Sequence, residues 1–420
     1  MSYVQALRGI GSGATYPPGR VMNLCEEDGR PVEIVLDTER LRREQPEAAW
    51  HHPERSDMWR FGALLPLDAT DPGNERFVTS RGEGATPLRP YPGHALAQQH
   101  GFTLGVKDEG KAAAGARYGA NPTQSFKDRG MAMVVAMARQ CGLERLAVPT
   151  QGNAGDALAC YAPAAGLEAA VVMPESTDRP ILASVALVAR LHPGHVHLDV
   201  VEGTIREAAA LAEEKYLSNG WFNVATFQEP GWRIEGKKTM GLELAEPDAP
   251  GGDWTLPDVI VYPTGGGTGV LGMWKAFDEL EALGLVGPEE RPRMACVQSA
   301  ATAPLVDAFE RGAEDTQTVA EPGETAATGL NVPGGIGHFR VLDILYASGG
   351  AAVAVSEDAI ERALAETFAD TGWWICPEGA ACLAALEPLV ERGVIHQGDE
   401  VVVFNTASLE KYLPAVRHLL

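Results

Sequence analysis

The chain has 420 residues, enough for two or three compact units, and its 45% hydrophobic and 22% charged content is ordinary for a globular protein. Its net charge of −23 repels nucleic acid and anionic membranes, and no basic run offers a local exception. No apolar run reaches membrane-spanning length, and the opening MSYVQALRGIGSG lacks the apolar core of a signal peptide. Six scattered cysteines (Cys25, Cys141, Cys160, Cys296, Cys376, Cys382) form no CxxC pair. They read as reduced thiols of a cytoplasmic protein, and no metal is expected.

Residues 1–78 read as an N-terminal extension. Cys25-Glu26-Glu27-Asp28-Gly29 has the spacing of a zinc knuckle whose second cysteine is Asp28. One thiolate does not hold zinc, so a metal-free turn is expected. Glu33–Leu36 suggests a strand, followed by a helix that Asp37 or Thr38 can cap.

From about residue 80 the rhythm is strand, glycine loop, helix, strand, which points to parallel sheets with crossover helices. Strands are expected at 102–107, 146–150, 169–174, 197–201, 221–224, 258–263, 293–298 and 400–404. Helices are expected at 131–140, from Ala157 to a break near Pro163, and at 205–217, 270–283, 357–371 and 379–393. The glycine-, proline- and threonine-rich segment 310–337 reads as a long functional loop.

Four features fall where ligands of α/β sheets collect, beyond the carboxyl ends of strands. The first is Lys127, at a helix start after Asn121-Pro122. The helix terminus makes a cation uncomfortable there and favours a neutral amine or an imine on an anionic cofactor. A surface lysine compensated by Asp128 is the alternative. The second is Thr264–Gly269, four glycines and two threonines between a strand and a helix. It lacks the lysine of a nucleotide P-loop and the spacing of a dinucleotide site, and a compact phosphate monoester suits it better. The third is Asn153, able to cap a helix or to donate to a phenolic oxygen. The fourth is Thr406, whose hydroxyl can meet a ring nitrogen. Together these are the parts that pyridoxal 5′-phosphate requires.

The stretch NPTQSFKDRG (121–130) resembles the NPTGSFKDRG lysine motif of threonine synthases, which are fold type II, tryptophan-synthase-β-like pyridoxal phosphate enzymes. The similarity extends to EGATPL (83–88), KDEG (107–110), the GN turn (152–153), YPTGGGTG (262–269), CPEGAA (376–381) and TASLEKY (406–412). It implies an α/β protein of two three-layer α/β/α domains, with mostly parallel sheets and the cofactor at the domain interface. Residues 79–115 with 235–420 would form the large cofactor-binding domain, on which the extension packs. Residues 116–234 would form the small domain carrying the lysine. Lys127 would bond the cofactor and later shuttle protons, beside Phe126. Asn153 would face the ring's 3′-oxygen, and Gly265, Gly266, Gly267, Thr268 and Gly269 would bind the phosphate. Thr406 would contact the pyridine nitrogen. Thr86, Lys107, Ser125, Arg129 and Ala154 would touch an amino-acid substrate.

The reaction so implied converts O-phospho-L-homoserine and water to L-threonine and phosphate. Departures keep two alternatives open. Gln124 stands where the motif has glycine, Lys111–Ala120 is an extra stretch that includes Arg117, and Ala154-Gly155-Asp156 replaces the usual hydroxyls. One alternative is a related enzyme of β- or γ-replacement or elimination on another amino acid. The other is a non-catalytic ligand-binding relative. A homodimer is admitted, and the end soon after TASLEKY leaves no room for a C-terminal regulatory domain.

Overall fold

In a computed structural model that describes residues 3–45, 50–110, 121–249 and 251–419, the chain divides into two units. One comprises Met1–Ala85 and Asn121–Thr239, the other Thr86–Ala120 and Met240–Leu420. The extra stretch Lys111–Ala120, with Arg117, lies outside the described residues.

The second unit is built on a six-stranded sheet in the order Ala351–Val355, Arg293–Ser299, Val259–Pro263, Glu400–Asn405, Thr103–Asp108, Leu88–Pro90. Its neighbours are parallel except for the last pair, where Leu88 faces Lys107 and Pro90 faces Gly105. Proline suits that short edge because it cannot donate to a further strand. All five residues of Val259–Pro263 are buried. A strand covered on both faces reads as an unbroken β-branched run, because helices must shield each side. Val259, Val261, Val401 and Val403 pack with Leu386, Leu389 and Ile360 in its core. Full burial of one such side chain contributes about 1.5–3 kcal/mol.

The first unit holds a four-stranded parallel sheet in the order Val196–Val201, Glu168–Pro174, Arg145–Pro149, Phe222–Asn223. A small antiparallel sheet, Thr15–Tyr16, Val4–Gly9 and Val32–Leu36, belongs to the same unit. The N-terminal segment thus groups with residues 121–239 rather than with the large domain expected from sequence, and Asn23 Nδ2 bonds the carbonyls of Asn223 and Gln228. The CEEDG stretch is the expected turn. Gly29 N–H donates to Cys25 O at 2.9 Å, and the Cys25 thiol meets Tyr16 and Ser12 hydroxyls.

Several boundaries differ from the sequence reading for local reasons. The helix expected from Ala157 starts at Asn153 and carries Pro163 in its last turn, ending at Ala164. A proline there loses only one late hydrogen bond. The segment 379–393 is two helices, Pro377–Ala384 and Leu386–Glu391. The Cys376 thiol caps the first by accepting from Gly379 N–H. No helix among the described residues is long and apolar enough to cross a membrane.

Candidate active site

In the first unit, the helix Lys127–Gln140 is buried on every side from Asp128 to Ala138. Such a helix is apolar all round rather than amphipathic, as its Met-Ala-Met-Val-Val run dictates. Its start is fixed by Asp128, whose carboxylate accepts from Thr123 N–H and Thr123 Oγ1, both at 2.8 Å. Asp128 therefore anchors the turn. Ser125 Oγ accepts from Lys127 N–H at 3.3 Å. Gln124 takes φ +59°, the left-handed region that glycine adopts without strain. The motif's usual glycine thus has a conformational reason here, and Gln124 meets it at a cost.

Lys127 Nζ lies 4.2 Å from the centroid of the half-buried Phe126 ring. Lys237 Nζ lies 4.9 Å from the same centroid. Lys237 arrives on the helix Trp232–Ala245, which crosses the lysine helix at two glycines. An added Cβ at Gly236 would overlap Arg129 O and stand 2.9 Å from Gly130 Cα, and one at Gly130 would stand 3.4 Å from Lys237 Cε. Fully buried Lys237 is driven well below an ordinary lysine by burial, then by the charges of Lys127 and Arg233, with Glu229 opposing. Burial pushes the Glu229 carboxyl up to about 7 against the pull of Arg233. Arg233 is also fully buried. Its Nη1 donates to Val224 O at 3.2 Å, while its Nε has no hydrogen-bond partner. The sequence reading missed these three residues. Their recurrence every four positions, 229, 233 and 237, within a segment flanked by Trp232 and Ile234, is the signal that was there.

Asn153 is the first helical residue, not the cap. The cap is Gly152, extended at φ −169° and without a side-chain hydrogen bond. The capping alternative is therefore not realised, and the buried amide follows the end of strand Arg145–Pro149. Beside it, Ala154 is buried, and Asp156 accepts from Ser184 Oγ at 2.6 Å. Arg129 is fully buried, with Nη1 donating to Thr239 Oγ1 at 2.9 Å.

In the second unit, adjacent strands Val259–Pro263 and Glu400–Asn405 run parallel, so their carboxyl ends bring Gly265–Gly269 and Thr406 to one edge of the sheet. Gly267 caps the sixteen-residue helix Thr268–Leu283 at φ +90°, with no side-chain cap and no acidic residue in the first turn. That leaves the positive end of a long helix uncompensated by its own sequence. An added Cβ would overlap Gly329 O at Gly265, stand 2.5 Å from Val341 Cγ2 at Gly267, and overlap Tyr262 Oη at Gly269. The loop is thus a backbone cradle that side chains would fill.

His338 steadies the cradle. Gly335 N–H donates to its Nδ1 at 3.2 Å, so Nε2 carries the proton and donates to Gly265 O at 2.8 Å. Burial lowers this imidazole below 6.5, consistent with the neutral tautomer. The segment 310–337, expected as a functional loop, reaches the cradle at Gly329, whose carbonyl would meet a Cβ at Gly265 and whose N–H donates to Glu378 Oε1 at 2.8 Å.

Thr406 is buried, with Oγ1 3.8 Å from Cys376 Sγ. Asn405 holds the surrounding frame, donating to Asp108 at 2.7 Å and accepting from Cys376 N–H at 2.9 Å. Lys107 Nζ donates to Thr86 O at 2.6 Å and pairs with Glu243 at 2.8 Å, while Thr86 Oγ1 donates to Glu109 at 2.6 Å. This network accounts for the Lys107 charge within the fold. Among the described residues no group of acidic, histidine or cysteine side chains could hold a metal. Within the second unit, an anion cradle of backbone N–H groups and a neutral hydroxyl at a neighbouring strand end fit the phosphate and ring nitrogen of a phosphorylated pyridine aldehyde; the first unit, taken by itself, offers an amine at a helix start.

A family described as "Pyridoxal-phosphate dependent enzyme" matches residues 79–407. The threonine synthase of Methanocaldococcus jannaschii is 31% identical over 95% of this chain and 91% of its own length. That of Methanosarcina acetivorans is 31% identical over 96% of this chain and 92% of its own length. Among solved structures, the L-serine ammonia-lyase of Rhizomucor miehei aligns with a TM-score of 0.60 at 20% identity, covering 79% of this chain and 98% of that one. It shares the fold.

Proposed function

The chain belongs to the threonine synthase family of pyridoxal-phosphate-dependent enzymes, and from that we propose that it converts O-phospho-L-homoserine and water to L-threonine and phosphate. The observation that carries the reading is the 31% identity over 95% of the chain to a threonine synthase, together with a lysine at the start of a fully packed helix.

When bound, the cofactor supplies the electron sink that lets protons leave carbon. Lys127 would hold it through its amine and would move protons at the substrate's Cα and Cβ. The Gly265–Gly269 backbone and the Thr268 helix terminus grip the cofactor's phosphate. Asn153 donates to the ring's phenolic oxygen. Thr406 meets the ring nitrogen with a neutral hydroxyl, imposing no charge on it. Phe126 supplies a ring beside the amine, 4.2 Å from Nζ to its centroid. For the substrate phosphate, Arg233 offers a buried guanidinium whose Nε is unpartnered in this structure. Ser125, Arg129, Ala154, Thr86 and Lys107 remain proposals for the substrate side, with Lys107 the least suited because Glu243 already holds it. Six free thiols support a reducing, cytoplasmic location.

A second reading, elimination or replacement on another amino acid, is favoured by Ala154-Gly155-Asp156, where Asp156 is taken up by Ser184 and no hydroxyl is offered. One experiment separates the two. The protein, loaded with pyridoxal phosphate, is given O-phospho-L-homoserine, and phosphate and threonine are measured together. Equal amounts support the first reading. Phosphate with 2-oxobutyrate, or no turnover, rejects it.

A further inference from the structure

We propose that His338 is a positioning residue for the cofactor's phosphate: by holding the Gly265 carbonyl, it sets the direction of the Gly266 N–H and aims that donor at the phosphate. The proposal rests on the reading of Gly265–Gly269 as the phosphate cradle.

One peptide plane carries the effect. The Gly265 C=O and the Gly266 N–H belong to a single planar unit, which is trans. In such a unit the oxygen and the amide hydrogen point in opposite directions. A partner that fixes the oxygen therefore fixes the hydrogen as well, on the side away from itself. His338 Nε2 donates to Gly265 O at 2.8 Å, so the Gly266 N–H points away from the imidazole. Glycine on both sides of this peptide gives it wide freedom of rotation, and contacts from outside the loop must choose its direction. Gly265 and Gly266 are only half-buried, whereas Thr264 before them and Gly267 after them are buried. The peptide that His338 holds is thus the part of the cradle that opens outward.

The imidazole is itself held from several sides. His338 is fully buried and opens the helix His338–Ala347. Its Nδ1 meets Gly335 N–H at 3.2 Å and Thr316 Oγ1 at 3.1 Å. The amide can only donate, so Nδ1 accepts, and the ring proton sits on Nε2, facing Gly265. Gly335 also lies close against the ring, since an added Cβ there would stand 2.5 Å from Nε2 and 2.6 Å from Cδ2. Three residues along the same helix, Val341 Cγ2 would stand 2.5 Å from a Cβ at Gly267. Residues three apart share a helix face, so one face supports the glycine loop at two points. Val341 fills space behind Gly267, and His338 adds the directed bond. A neutral imidazole suits the second task because it is a rigid ring with a donor on one edge and an acceptor on the other.

The test uses the full chain freed of cofactor. Its affinity is measured by absorbance titration for pyridoxal phosphate and for pyridoxal, which lacks the phosphate. The ratio of the two dissociation constants reports the grip on the phosphate, because the ring and aldehyde are common to both. The wild-type chain should prefer pyridoxal phosphate by at least about a hundredfold, the worth of two hydrogen bonds to a charged group. His338→Asn keeps an acceptor near the Nδ1 position but no donor near Nε2. It should lower the ratio about tenfold, chiefly by weakening pyridoxal phosphate. His338→Gln places an amide nitrogen near the Nε2 position and should hold the ratio within about twofold of wild type. A role in stability alone would weaken both ligands alike. A folded asparagine variant with an unmoved ratio therefore overturns the proposal. So does a folded glutamine variant whose ratio falls tenfold, which keeps the test decisive if the asparagine variant does not fold. A wild-type chain that binds the two ligands equally overturns the reading of the cradle itself.

Discussion

Replacing Gly236 with alanine tests how the lysine helix is held. The new methyl would overlap Arg129 O and stand 2.7 Å from Arg129 C and 2.9 Å from Gly130 Cα. All three are backbone atoms of a buried helix, so no side chain can rotate aside. Overpacking of this kind costs about 1–3 kcal/mol, and backbone-on-backbone contact belongs at the upper end. Alanine regains up to about 1 kcal/mol over glycine in a helix interior. The crossing wins, with a net loss of roughly 2 kcal/mol. In a protein of this size that lowers the thermal midpoint by about 2–3 °C. The assay is circular dichroism melting of cofactor-free protein, with Gly194→Ala as control because a Cβ there meets nothing within 4 Å. An unchanged or raised midpoint would refute the close-crossing account.

Three further outcomes follow from particular contacts. Lys107→Met removes the lysine partner of the 99%-buried Glu243 carboxylate and should cost about 3–5 kcal/mol in urea unfolding, with Glu243→Leu added to it recovering most of that; activity loss at full stability would instead return Lys107 to the substrate. Gln124→Gly removes a left-handed φ of +59° worth about 1–2 kcal/mol, against about 0.5–1 kcal/mol of extra glycine entropy, so the melting point should rise by about one degree; a fall would contradict the strain. His338 is neutral when folded and titrates below 6.5. The unfolded chain therefore binds the proton first, so stability holds above pH 6.5 and falls as pH drops through the lower folded value. Melting in acid should show this slope, and His338→Gln should flatten it. A variant that keeps the full slope would place its origin elsewhere.

The sheets were legible from sequence because Val259–Pro263, Glu400–Asn405 and Glu168–Pro174 each contain an unbroken apolar run, the mark of strands covered on both faces. The glycine loop was legible because Gly265, Gly267 and Gly269 each leave no room for a Cβ. Helix starts were misjudged by a few residues at Asn153 and Thr268, both of which begin without a side-chain cap. Without a serine or aspartate cap, a helix start carries little signal. The helix Trp232–Ala245 was invisible for another reason. It buries Arg233, Glu235, Lys237 and Lys238, so it has no polar face to reveal its period. That helix carries the second lysine, and only the fold shows the two amines over one ring.

The most direct measurement is the mapping of the cofactor's attachment. The protein is loaded with pyridoxal phosphate, reduced with borohydride, digested, and analysed by mass spectrometry. The expected result is one phosphopyridoxyl group, on the peptide containing Lys127, and none in Lys127→Ala. A label on Lys237 or any other lysine in the wild-type chain, or no label at all, would contradict the central claim.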